Sequence, residues 1–217
     1  MPKWLKFVLA VLLLPSCLGA IRTLWRLLNV SGGAENFWVV FIAGAAIWLV
    51  VFLMLPKPMW VYVVGHELTH AVWTWLFGGK VKQFKVGSKG GHVVVTKNNF
   101  LISLAPYFFP LYAALVVLSF VLGHLIWNWT AYQVWFHLLL GAAYSFHLTL
   151  TAHILRTQQS DITQNGYLFS AVIIFLGNIL VLLLGLPVLT RSAGLGAVFG
   201  WWLHDTGNIW QRLSALL

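Results

Sequence analysis

Long apolar stretches, separated by short polar or proline-bearing links, set the rhythm of this chain. Residues 4–28 form the first, interrupted by Arg22 and Arg26, whose long stems let the charge snorkel to an interface. A polar link with Ser31-Gly32-Gly33 leads to residues 37–55, which carry no charge and are long enough to cross a bilayer. Pro56-Lys57-Pro58 stops that helix, because two prolines in three residues cannot continue it. The third run is 59–77. The fourth, 100–127, opens with Pro106 and Pro110, which predict a kinked or unwound first half. The fifth, 131–155, turns polar towards its end with Tyr144, Ser145, His147, Thr149, Thr151 and His153. After a polar loop, 156–166, the sixth run occupies 167–189, with Asn178 as its strongly polar interior residue. Residues 191–217 hold a shorter apolar stretch and then Ile209-Trp210-Gln211-Arg212-Leu213, a pattern suited to the membrane interface.

Between the third and fourth runs the period changes from helical to two. Lys80-Val81-Lys82-Gln83-Phe84-Lys85-Val86 alternates, Gly87-Ser88-Lys89-Gly90-Gly91 reads as a turn, and His92-Val93-Val94-Val95-Thr96 is rich in β-branched residues. Together they predict a β-hairpin. The expected fold is therefore an all-α polytopic membrane protein with about six transmembrane helices and a short β-hairpin after the third. It reads as one integral membrane domain over 1–217. The core spans about 59–189, the accessory helices are 4–28 and 37–55, and 191–217 is an interfacial or short membrane segment.

Composition sharpens this reading. The chain is 60% hydrophobic and 8% charged, against about 25% charged residues in an ordinary soluble domain; its mean hydropathy is +0.87. Trp4, Trp38, Trp60, Trp127, Trp129, Trp201 and Trp202 fall near the ends of apolar runs, as an interfacial belt requires. A net charge of +9 would suggest nucleic acid in a soluble protein. Here the basic residues lie mainly between apolar runs and are read as topology determinants and headgroup contacts, with no nucleic-acid partner. Lys3 and Lys6 ahead of 7–14 resemble a signal sequence, and Leu14-Pro15-Ser16-Cys17 a lipoprotein cleavage site. Proline beside the cysteine spoils the second match, and apolar character resumes through Leu28, so a retained first helix is expected. With six alternating spans, the positive-inside rule places Arg22, Arg26, Arg156 and the hairpin lysines 80, 82, 85, 89 and 97 in the cytoplasm, leaving Lys3, Lys6, Lys57 and Arg191 outside.

Chemistry concentrates in Gly65-His66-Glu67-Leu68-Thr69-His70-Ala71, inside the third run. On a helix His66 and His70 stack on one face, where two imidazoles can grip one zinc ion. Glu67 then sits beside the metal, placed to take a proton from water. Ionisable residues in an apolar segment are costly without such a use. A catalytic zinc usually takes three protein ligands and leaves one position open. Besides Glu67 the carboxylates are Glu35, Asp161 and Asp205. Asp161 precedes the sixth run on the side the site faces; it reads either as a ligand or as a helix cap with Gln164 as its capping-box partner. His147 competes, since its depth of about 12 Å from the helix end is close to the 10 Å or so of His70. It is a direct ligand, an orienting partner or a packed residue. His92 and His153 read as solvated, and His124, His137 and His204 lack partners at useful spacing.

These residues resemble the site-2 protease family of intramembrane zinc metalloproteases. The likeness rests on His66-Glu67-Leu68-Thr69-His70-Ala71, then Phe77-Gly78-Gly79-Lys80-Val81, then the β-rich piece with Gly90-Gly91, and more loosely on Pro106, Pro110 and Asp161. It implies that His66 and His70 are zinc ligands, Glu67 the general base and Asp161 the third ligand. Where that family has an asparagine and prolines ahead of Leu-Asp-Gly, this chain has Ser160-Asp161-Ile162-Thr163-Gln164-Asn165-Gly166, the mark of a divergent branch. The expected activity is hydrolysis of peptide bonds of transmembrane substrates within or near the bilayer. The expected location is the cell membrane, multi-pass, with the site facing the cytoplasm. The rival reading is a non-catalytic membrane scaffold or chaperone of the same fold. A transporter is disfavoured because the spans outside the metal helix offer few charged groups.

Overall fold

Backbone groups in an apolar run must satisfy each other, so the runs fold as helices. The computed structural model describes residues 1–87 and 90–216; Ser88 and Lys89 of the expected turn lie outside the described residues. The elements are α1 (Lys3–Ser31), α2 (Glu35–Met54), α3 (Met59–Leu76), β1 (Val81–Gly87), β2 (Gly90–Val95), α4 (Phe100–Phe108), α5 (Leu111–Trp127), a 3-10 turn (Trp129–Tyr132), α6 (Gln133–Ile154), α7 (Ser160–Asn165), α8 (Tyr167–Thr190) and α9 (Leu195–Ser214). They divide into two compact units, Asn36–Gln159 and Met1–Glu35 with Ser160–Leu217. The predominantly helical class with a two-stranded hairpin is as expected. Three helices, α1, α2 and α8, are long and apolar enough to cross a membrane, or four if α4 and α5 count as one broken span.

In the Asn36–Gln159 unit, α2 and α6 cross at small residues. A Cβ added to Gly44 would fall on the Leu138 carbonyl, and one added to Gly141 on the Phe41 carbonyl. Bare glycines let the two backbones approach, which is how helices associate where no hydrophobic effect drives them together. Trp48 donates its indole N–H to Thr149 Oγ1 at 2.8 Å along the same contact. Phe37 meets His137, Phe41 meets Tyr144 and Phe52 meets His153, so the two helices run in the same direction. In contrast α5 and α6 are antiparallel: Tyr112 packs on Phe146 at their one end and Phe120 on Phe136 nearer the other.

This pairing corrects the expectation of regularly alternating spans, in which the second and fifth would run oppositely. Residues 55–110, comprising α3, the hairpin and α4, leave from the end of this layer where α2 finishes and return to the same end, where α5 begins. The physical reason lies in their composition. His66, Glu67, Thr69, His70 and Thr74 make α3 too polar to join the helices suited to a full span, and α4 bends from α5 by 77° at Phe109-Pro110. The hairpin forms where the alternation placed it, with Val86 paired to Gly91, Phe84 to Val93 and an irregularity between Val81 and Gln83.

In the other unit α1 packs on α8 and α9. Trp202 donates to the Ser16 carbonyl at 3.0 Å, and Arg26 stacks over the Trp201 ring at 4.0 Å. The tail, expected as an interfacial or short membrane segment, is one 20-residue helix, α9, with Val198 and Ile209 buried. The polar loop 156–166 contains the short helix α7. Asp161 lies inside its first turn, and the residue capping the following helix α8 is Gly166. The capping role considered for Asp161 ahead of the sixth run is therefore replaced.

Candidate metal centre

The site is built on α3, whose start follows Pro58 and whose interior Gly65 lets the Tyr112 ring lie against the helix. Tyr112 donates its hydroxyl to the Val61 carbonyl at 2.6 Å and so fixes α5 to the helix. Four-residue spacing brings His66 and His70 together as expected, with ring centroids 4.9 Å apart and planes at 78°. His70 is buried, 9% exposed, and its Nδ1 lies 2.9 Å from the Ile102 carbonyl oxygen of α4. A carbonyl only accepts, so Nδ1 must carry the proton, and in the neutral imidazole Nε2 then holds the lone pair that a metal needs. The Tyr107 ring meets the His66 ring edge-on at 5.2 Å. Sequence patterning gave no sign of the Ile102 contact, because a backbone carbonyl has no side-chain signature.

Glu67 is 7% exposed and turns to the hairpin side of α3. A Cβ at Gly91 would come 2.7 Å from Glu67 Cγ and 3.0 Å from Val63 Cγ1, so β2 lies directly against the carboxylate stem. The hairpin also closes on the end of α3, where Gly79 donates to the Thr74 carbonyl at 2.8 Å. His66 and His70 thus point one way while Glu67 is held from the other side by glycine.

Beside His66 is a cavity of about 20 Å³ whose walls include Tyr62, Thr69, Pro106, Tyr112 and His147. That is room for about one water molecule. Thr69 gives its hydroxyl proton to the Gly65 carbonyl at 2.7 Å, and Tyr112 to Val61, so both serve as walls. His147, 6% exposed on α6, shares this cavity with His66. An open groove of about 620 Å³ between α5 and α6, lined by aromatic and aliphatic side chains, contains no metal-ligating residue.

Of the other histidines, His92 is exposed on β2, while His153 packs edge-on to Phe52. Asp161 is half-buried in the first turn of α7, and its backbone carbonyl accepts from the Asn165 side chain at 2.8 Å. Comparison with models of protein families, with curated proteins and with solved structures gives no match in any of the three.

Proposed function

We propose that the chain is a multi-pass membrane zinc metalloprotease of the site-2 protease type, with His66, His70 and Asp161 as ligands and Glu67 as general base. One observation carries the reading: a His-Glu-x-x-His helix in which the second histidine is held by Ile102 in the tautomer that presents Nε2. His66 and His70 stand together on α3, and the resemblance to that family supplies Asp161 as the third ligand. Two imidazoles and a carboxylate suit zinc, and match the ligand types of known catalytic zinc sites. When bound, zinc would polarise the scissile carbonyl and bring the pKa of a water to about 7.

The remaining chemistry belongs to the chain. Glu67 accepts a proton from the attacking water as the new C–O bond forms, then delivers it to the amide nitrogen as the C–N bond breaks. The buried stem of Glu67, pressed by β2, leaves its carboxylate little freedom. A transmembrane substrate must unwind to expose its carbonyls, and the hairpin offers an edge on which it can pair as an added strand. The lysines at 80, 82, 85 and 97 favour a cytoplasmic hairpin, and with it a site that opens to the cytoplasm. The break between α4 and α5 at Phe109-Pro110 is the movable element best placed to admit water and substrate. The cell membrane is the proposed location.

The test is metal analysis and cleavage together. Protein purified in detergent should hold about one zinc per chain. It should cleave a reporter with a destabilised transmembrane helix, lose cleavage with the chelated metal and regain it with added zinc. Cleavage that survives complete removal of the metal would sink the proposal.

A further inference from the structure

We propose that Pro106 is a positioning residue for this centre: having no N–H, it reserves the Ile102 carbonyl for His70 and so decides which His70 nitrogen is left for the metal. The inference deepens the metal-site reading above and rests on it, but concerns a residue that is not itself one of the ligands.

In an α-helix the carbonyl of residue 102 accepts from the N–H of residue 106. Pro106 lies inside α4, so that bond cannot form. Ile102 is 1% exposed, and a carbonyl buried away from water needs a partner from elsewhere. The N–H of the same residue is taken by the Asn99 side chain at 2.9 Å, the cap that starts α4. Residue 102 is thus pinned at its nitrogen while its oxygen is left to accept, and His70 Nδ1 stands 2.9 Å from that oxygen. A neutral imidazole in water favours the proton on Nε2, which would turn a protonated nitrogen towards the metal. The Ile102 carbonyl reverses this preference, and the proline keeps the carbonyl available. An alanine at 106 would supply an N–H aimed at the same oxygen, in competition with His70.

The experiment uses full-length protein in detergent with 15N-labelled imidazoles, first without metal and then titrated with Co2+ as the probe. In the wild type His70 should show the Nδ1–H tautomer. Pro106→Ala should shift it towards Nε2–H and weaken Co2+ binding about 10–100-fold, the range for losing an orienting partner. Its thermal midpoint should stay the same or rise, because alanine is the better helix former. Lactic acid at 106, which has the alanine side chain and an ester oxygen in place of N–H, should restore both tautomer and affinity. An unchanged tautomer in Pro106→Ala, or failure of the lactic acid variant to restore it, overturns the inference. A wild type that binds no Co2+ would instead defeat the metal-site reading, while the tautomer measurement still judges Pro106.

Discussion

Gly91 of β2 lies against Glu67 of α3 so closely that a Cβ at position 91 would come 2.7 Å from Glu67 Cγ and 2.9 Å from the Lys85 carbonyl. One neighbour is a side-chain stem and the other is backbone of the paired strand, so an added methyl must move the carboxylate or the hairpin. Neither histidine is among its three nearest neighbours. Gly91→Ala should therefore retain zinc and lose activity, by about 100-fold for a displacement near 1 Å. Zinc content and kcat measured on the same preparation check this. Full activity in Gly91→Val, the bulkier change, would show that the hairpin does not position Glu67.

Asp161 carries the third ligand position in the proposal, with His147 as its rival. Asp161→Ala should lower zinc affinity by more than the roughly 10–100-fold that loss of an orienting partner costs. His147→Ala should keep the metal, since His147 is assigned to the wall of the water-sized cavity beside His66. Competition against a chelator of known affinity separates them. Retention by Asp161→Ala together with release by His147→Ala would exchange the two roles.

Much of this architecture was legible before the structure. His66 and His70 meet because four residues make one helical turn, and the hairpin follows from alternation between Lys80 and Thr96. The break at Pro110 follows from its missing N–H. What escaped depends on atoms or distances that residue types do not encode. The direction of α2 along α6 is set by Gly44 and Gly141 meeting opposing backbones, yet a glycine in an apolar run looks the same wherever it faces. The helix at Asp161 is six residues long, too short to show a period. The hold on His70 comes from a backbone carbonyl.

The α2–α6 contact gives a prediction about stability alone. Gly141 faces the Phe41 carbonyl and Gly44 the Leu138 carbonyl, so a side chain at either position meets backbone that cannot step aside. Gly141→Leu should destabilise the protein by at least the about 1–3 kcal/mol typical of overpacking. Removing the Trp48 hydrogen bond to Thr149 with Trp48→Phe should cost less, about 1 kcal/mol. Unfolding in mixed micelles at increasing denaturing detergent compares the three. Equal stability of Gly141→Leu and the wild type would contradict the close crossing.

Glu67→Gln separates the enzyme from the scaffold. Glutamine has nearly the same shape and fits against Gly91 in the same way, so the fold and the two histidines should be undisturbed. What it lacks is a group able to accept a proton and hand it on. General acid–base catalysis contributes about 10²–10⁴-fold. As a protease, the protein should therefore lose cleavage by that factor while holding its zinc, and lose any cellular phenotype that depends on cleavage. A scaffold would keep its phenotype in Glu67→Gln and lose it only when His66→Ala empties the metal position and weakens the fold. Complementation of a deletion strain by the two variants, read beside zinc content, decides between them: rescue by Glu67→Gln would end the protease reading.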